Sequence, residues 1–571
     1  MKKFKYIFIF IFTVGLISCD FDEVLTEVPK DFQSPENSFT NKAGFESVLA
    51  HIYLTIRTYM YSYTDSHENF DMLGIDGDLA YLLLTNDTYN EYFYWNTLNE
   101  DNEFSEKWWT RLYEWIYNAN VIIDRAESDL VDWNSEEEKN AIVGEAKFIR
   151  AFAYHFLANM WGGVPLVLNE TAAPKFDYQR ASQEEVYLQC KSDLEFATKW
   201  METVDELKGG RAPRAAAYHL LSEVNICLGD YQGAINAASA VIDDPNFSLM
   251  TERYGVFKDF TFNGYDYRGE YQPWGDVYWD LFREGNMNRI DGNTEVIWNV
   301  QFDPNILGGG NVGKWGGNFV LERKWNPNWR GLKDINGVSN WLKDTLCGRP
   351  STGLSATPYA GTQIWEFKDD WDKDIRNSKY NIQRTFYWTN PESEFYGQPI
   401  TYENVGDKSV FDRSTAPGFK KATTTLHHNQ FQDSQSGQGH DNGRIYKDWY
   451  IMRLAETYLL RAEAHHRNGD DANAAADINV VRSRAQATPV EAGEVDLDLI
   501  LDERARELYM EEFRLNTLMR MGKLVEYLMK YHPIVIQNGY SLGDHLNKFP
   551  IPRSEIEANK EAPLQQNPGY N

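Results

Sequence analysis

Cysteine is scarce in this sequence: four residues in 571, Cys19, Cys190, Cys227 and Cys347, too few and too scattered for a disulfide framework or a zinc cluster. Basic charge is also short, with 56 Lys+Arg against 85 Asp+Glu, a formal charge of −29 and a pI near 4.8. A chain without a net cationic field cannot displace phosphate counterions, which excludes nucleic acid as a partner. Beyond the first residues no apolar run approaches the roughly 20 residues that a membrane-spanning helix needs. The Gly-x-Ser-x-Gly elbow, the Gly-x-x-x-x-Gly-Lys phosphate loop and the His-Glu-x-x-His helix are missing too. A carboxylate pair for glycoside hydrolysis stays open, because its signature is a separation in space.

Aromatics are abundant: 18 Trp, 34 Tyr and 31 Phe, 15% of the chain. With 42% hydrophobic residues there is ample material for a globular core. Trp is costly to bury with its N–H unpaired, so this excess asks for an exposed, half-apolar role.

The segment Met1–Cys19 opens with Lys2, Lys3 and Lys5 and continues with the apolar stretch Tyr6 to Leu16, a secretory signal too short to span. Leu16-Ile17-Ser18-Cys19 matches the bacterial lipobox. Small residues let the peptidase reach the bond, and the Cys19 thiol carries the diacylglycerol anchor. Removing residues 1–18 also removes three lysines, so lipid and not basic charge must hold the acidic chain to a membrane. Asp20, Asp22 and Glu23 follow, similar to a surface-export signal, and the chain to about Pro35 is a tether.

The spacing of Ile142, Ala146, Ile149, Ala153, Phe156 and Met160 predicts a helix over Glu136 to Met160, ended by Gly162-Gly163 and Pro165. Ser105 to Ala126 carries Trp108, Trp109, Leu112, Trp115, Ile116, Ala119 and Ile123 on one helical face. Ala215–Leu228 and Gln232–Ile242 form a helical hairpin through Gly229-Asp230. Sliding the chain by 240 residues places Tyr218 over Tyr458, Leu220 over Leu460, Glu223 over Glu463, Gly229-Asp230 over Gly469-Asp470, Ala234 over Ala474 and Val241 over Val481. Two distant segments thus share one hairpin, the logic of tetratricopeptide repeats, which bury their faces by stacking. Between them, from Met250 to Arg444, periodicity fails and short runs such as Glu295–Val300 read as strands. Ten of the 18 Trp lie from Trp274 to Trp388.

Several blocks resemble the SusD/RagB family of surface nutrient-binding lipoproteins. They are the lipobox, Gly144–Tyr154 followed by Trp161-Gly162-Gly163-Val164-Pro165-Leu166-Val167, the helix Arg453–Ala464, Glu503-Arg504-Ala505-Arg506-Glu507-Leu508 with Arg514, and the tail Phe549–Ile556 closing with Gln566-Asn567-Pro568-Gly569-Tyr570. Their order spans the chain. Where the family often has a Gly near the last helices, Glu511-Glu512-Phe513-Arg514 stands here, a departure that touches scaffold. The resemblance implies a lipid-anchored, non-catalytic lid of tetratricopeptide-like helices on a TonB-dependent, SusC-like outer-membrane transporter, capturing oligosaccharides.

A sugar ring has an apolar face and a hydroxylated rim, so its site needs exposed aromatics beside Asp, Asn, Gln or Arg. Two segments have that mixture: Asp71 to Asn102, with Asp76, Asp78, Trp95 and Asn96, and Tyr265 to Trp329, with Tyr271, Trp274 and Trp325. The resemblance carries ligand contact to Trp95 and Asn96, and also to Trp274 and Trp325. Trp108, Trp109, Trp115 and Trp161 lie on or beside helical stripes and read as core. Asp370, Asp372 and Asp374 begin like a calcium loop, but Ile375 replaces its Gly and Asn381 its Glu, which points to a polar turn. His427-His428 and His465-His466 read as surface pairs, so no metal or cofactor is expected.

The expectations are therefore a mainly α protein: a signal over 1–18, a tether over 19–35, a helical part over 36–249, an irregular glycan-binding insertion over 250–444, and a helical part with tail over 445–571, these last three forming one unit. Its expected function is non-catalytic binding of oligosaccharides or polysaccharides at the outer membrane. A repeat-type adaptor of a membrane complex with a peptide or protein ligand and a surface glycoside hydrolase stay open as alternatives. The few Arg and Lys among the middle aromatics favour neutral sugars over uronic-acid polymers.

Overall fold

The computed structural model describes residues 38–62, 77–82, 95–207, 209–263, 271–303, 305–306, 308–310, 319–340, 348, 350, 354–423 and 446–570. The first helices are α1 Lys42–Tyr61, α2 Glu103–Arg125, α3 Glu136–Trp161, α4 Gln183–Trp200, α5 Arg214–Cys227 and α6 Tyr231–Ile242. Polar caps start most of them. Asn41, Asn102, Ser135 and Asp230 accept backbone N–H bonds, and Ser182 forms a reciprocal box with Glu185. Gly162, at φ 79°, ends α3. The stripe predicted on α3 is buried, and so is nearly every residue after Ile142, because α2 covers one side and α4 another. Trp108, Trp109, Trp115 and Trp161 are core, as their stripe positions predict.

After the middle region come α7 Leu454–Arg467, α8 Asp471–Arg484, α9 Leu497–Leu508, α10 Arg514–Arg520 and α11 Leu524–Tyr531. The hairpins α5–α6 and α7–α8 close identically. Gly229 (φ 73°) and Gly469 (φ 78°) take the left-handed position. The next amides, Asp230 and Asp470, reach back to Asn225 O and His465 O, each at 2.9 Å. α7 packs on α5 and α6, so the two hairpins stack. Glu223 and Glu463, equivalent in the two copies, meet on one buried guanidinium, Arg520, at 2.9 and 2.6 Å. The scaffold is thus the tetratricopeptide-like stack that the internal repeat predicts.

Among the described residues, the middle region is built of turns, single-turn helices and short strands, and the chain forms four antiparallel two-stranded pairs. β1 Ala80–Leu82 pairs β5 Leu354–Ala356, β2 Thr261–Asn263 pairs β3 Tyr271–Pro273, β4 Val296–Val300 pairs β8 Trp449–Arg453, and β6 Ile382–Gln383 pairs β7 Gly418–Phe419. β8 runs directly into α7, so the β4–β8 pair ties the insertion to the helical stack. Trp298 on β4 sets its ring edge-on to Phe148 and Phe152 of α3, at 5.5 and 5.4 Å. One apolar cluster accordingly runs from Phe45 to Tyr570. No described helix is long and apolar enough to cross a membrane.

Candidate functional site

Most of the Trp excess in the insertion is core. Of the eight described Trp from Trp274 to Trp388, Trp279, Trp298, Trp325, Trp329, Trp365 and Trp388 are at most 3% exposed. Trp274 and Trp371 are the exceptions, and both line an open cleft of about 690 Å³ together with Asp372, Lys373, Asp374, Asn377, Lys379, Gln383 and Arg384.

Local sequence fixes both rings. Trp274 follows β3, its N–H donating to Phe260 O at 2.9 Å and its carbonyl accepting from Arg253 at 3.1 Å. Gly275 comes next at φ 104°, where a Cβ would stand 2.5 Å from the Trp279 ring, so the chain turns there only with glycine. Asp276 caps the turn Val277–Asp280 through Trp279 N–H (2.8 Å) and also accepts from Ser378 Oγ (2.8 Å) and Asn381 Nδ2 (3.0 Å). Burial pushes the Asp276 carboxyl up, and these donors pull against it. Asp276 thereby staples the Trp274 strand to the facing turn, 375–382, which carries Tyr380 edge-on to Trp274 at 5.0 Å.

Trp371 stands in the Asp-x-Asp-x-Asp stretch, whose outer carboxylates meet cations. Asp370 takes Arg482 at 2.7 Å and Thr488 Oγ1 at 2.6 Å, and Asp374 accepts from Nε and Nη2 of Arg376. The stretch is a polar turn held from behind. Arg376 in turn pairs with Glu503 (2.8 Å) and Glu507 (3.0 Å) of α9. Burial pulls the Arg376 guanidinium down, but its three carboxylates outweigh that and hold it raised. Locked on this side, the turn presents Asp372 and Trp371 to solvent, Trp371 37% exposed. Arg384 lies 4.6 Å over the Trp371 ring, and Asn377 Nδ2 donates to Trp371 O at 2.7 Å. The arrangement offers two aromatic faces with amide, guanidinium and ammonium groups beside them, the combination that recognises a ring with an apolar face and a polar rim.

The expected site residues are scattered. Trp274 lines the cleft. Asn96 is exposed. Tyr271 is described by its backbone pairing with Asn263. Asp76 and Cys19 lie outside the described residues, as do His427 and His428. The exposure expected of three others is corrected. Trp95, 4% exposed, packs toward Phe549 at 6.3 Å, Trp325, 3% exposed, packs edge-on to Tyr509 at 6.1 Å, and Asp78 is fully buried on Arg514 at 2.7 Å. Each is drawn inward by a partner from the C-terminal part. His466 pairs with Asp471 at 2.7 Å, and His465 is partly buried. Sequence reasoning missed Trp371, Asn377, Lys379 and Arg384. A signal existed for Trp371, a Trp with only charged neighbours from Lys368 to Asp374.

A profile of the SusD family matches residues 294–570, and a second, described as starch-binding associating with outer membrane, matches 28–226. Starch-binding protein SusD of Bacteroides thetaiotaomicron is 42% identical over 476 residues, 80% of this chain and 78% of that protein. SusD-like protein P25 of Formosa agariphila is 25% identical over 98% of this chain and 97% of its own length. Among solved structures, a laminarin binding SusD-like protein superposes with a TM-score of 0.65 at 22% identity, covering 93% of this chain and all of that one. Surface glycan-binding protein A of Bacteroides fluxus superposes at 0.62 and 21% identity, with the same coverage.

Proposed function

The chain belongs to the SusD family, and on that premise we propose that it is a non-catalytic surface lipoprotein that binds oligosaccharides and delivers them to a SusC-like, TonB-dependent transporter in the outer membrane. The observation that carries the reading is the cleft in which half-buried Trp274 and exposed Trp371 stand beside Asn377, Gln383 and Arg384. Stacking of sugar faces on the two rings supplies affinity, and the polar groups read the hydroxyl rim. Delivery suits an open cleft, since a ligand passed onward must be released. The lipobox Leu16-Ile17-Ser18-Cys19 supports anchoring through Cys19.

Chemistry on the glycan is not part of the reading. Of the two carboxylates in the described lining, Asp374 has both oxygens on Arg376, which leaves Asp372 alone where glycoside hydrolysis uses a pair. Titration calorimetry of the purified protein against a panel of polysaccharides tests the proposal, with a reducing-end assay on every glycan that binds. The expected result is binding to at least one glycan with no new reducing ends. Binding to none sinks the reading, and released ends replace it with a hydrolase. Co-purification from membranes with a TonB-dependent transporter tests the partner.

A further inference from the structure

Resting on the assignment of this cleft as the glycan site, we infer that its ligand is an anionic sugar, one carrying a carboxylate or a sulfate ester. Cations are the minority in this chain, 56 against 85 acidic residues, yet the lining brings Lys373, Lys379 and Arg384 together around the two tryptophans. Their partners are unequal. Lys373 faces Asp370 at 3.6 Å. Arg384 and Lys379 have no carboxylate partner among the described residues. The guanidinium of Arg384 is held by neutral oxygens, Gly361 O at 2.9 Å and Asn377 Oδ1 at 2.6 Å. Arg376, Arg453, Arg482, Arg484 and Arg514 each meet a carboxylate, whereas Arg180 and Arg283, like Arg384, are held by carbonyls; Arg384 differs from those two in lining the cleft. Of the carboxylates in the described lining, Asp374 is neutralised by Arg376, and exposed Asp372 alone opposes the two cations.

The placement matters more than the count. Arg384 lies over Trp371 at 4.6 Å, with that residue 37% exposed, and Lys379 and buried Lys420 set their Nζ 5.6 and 5.2 Å from the Trp274 ring. Each ring therefore has a cation over it. A pyranose that stacks on the remaining exposed part of either ring meets that cation past the ring edge with an exocyclic acid or ester group, a guanidinium at Trp371 and an ammonium at Trp274. Burial pushes the Arg384 guanidinium down to about 10, which keeps it charged at neutral pH. The neutral-sugar preference drawn from composition is thus reversed: Lys379 and Arg384 are more than a hundred residues from Trp274 in sequence, and only the fold brings them beside it.

The test compares ligands differing in charge alone. Oligogalacturonate and its carboxyl-reduced counterpart, and a sulfated galactan oligosaccharide and its desulfated counterpart, are titrated into the purified protein at low and high salt. The expected result is that one charged member binds about tenfold or more tighter than its neutral twin, and that 0.5 M salt narrows the gap. Which pair shows the gap tells carboxylate from sulfate. Arg384→Gln lowers affinity for the charged member by about tenfold more than for its neutral twin. Lys379→Glu, at an exposed position, does the same, and Asp372→Asn tightens the charged member. Equal affinity for charged and neutral twins, or charged binding indifferent to both cation variants, overturns the inference. Neutral glycans that bind and are lost in Trp371→Ala overturn only the charge claim and leave the glycan site standing. Binding of neither kind removes both.

Discussion

Trp371 and Trp274 are the residues on which recognition turns, and they differ in cost to the fold. Trp371 is 37% exposed in a turn held from behind by Asp370 and Asp374, so the turn keeps its shape without the indole, which contributes mainly its stacking with Arg384. Trp371→Ala is expected to weaken glycan binding by about tenfold, ~1.4 kcal/mol, while costing about 1 kcal/mol of stability through the lost stacking with Arg384. Calorimetry paired with thermal melting checks it: an affinity loss accompanied by a collapse of the melting temperature would make Trp371 a packing residue. Burial is where sequence misleads at this scale. Asp78 reads as a hydroxyl-bridging carboxylate until Arg514, 436 residues away, claims it. Trp325 reads as a platform until Tyr509 covers its ring. No local pattern encodes such partners, and none showed that Arg384 would stack on Trp371.

The helices that carry a marked stripe or the repeated hairpin, by contrast, are legible nearly to the residue, because a 3.6-residue stripe, a polar cap and a glycine stop are all local. Glu136 to Met160 is predicted and Glu136–Trp161 is found, and Glu295–Val300 yields β4. The repeated hairpin is the strongest such case, and it makes a paired prediction. Gly229 and Gly469 both sit at positive φ with open space where a Cβ would go, so the cost of alanine is conformational and equal in the two copies. Gly229→Ala and Gly469→Ala should each cost about 1 kcal/mol, read by denaturant unfolding. A large difference between them would break the structural equivalence of the two hairpins. The ion pairs linking these helices set a pH limit. Burial pushes the Glu463 carboxyl up, but Arg520 and Arg467 outweigh it and hold it down at about 2. Glu503, likewise held against burial by Arg376, Arg482 and Arg506, also lies at about 2. Both are below the unfolded value of about 4.3, so the stability they contribute is present above that pH and is lost as pH falls from there toward 2. Glu463→Gln should lower stability at pH 6 by about 3 kcal/mol, with the difference shrinking toward zero near pH 2. A pH-independent difference would contradict the assignment.

At the scale of the whole molecule, a stack of helical hairpins carries an insertion of turns, and the β4–β8 pair and the charges behind residues 370–376 fix one to the other. The chain as a whole is acidic, and the described lining of the cleft, with three cations against two carboxylates, departs from it in sign. The cleft thus stands on a rigid base, open on one side, as a capture-and-release role requires. The most direct test is a crystal structure of the protein with the tightest-binding oligosaccharide of the panel. The account predicts a sugar ring in van der Waals contact with Trp371 or Trp274, its polar rim meeting Asn377, Lys379 or Arg384. An oligosaccharide bound elsewhere on the protein, with this cleft empty, would contradict it.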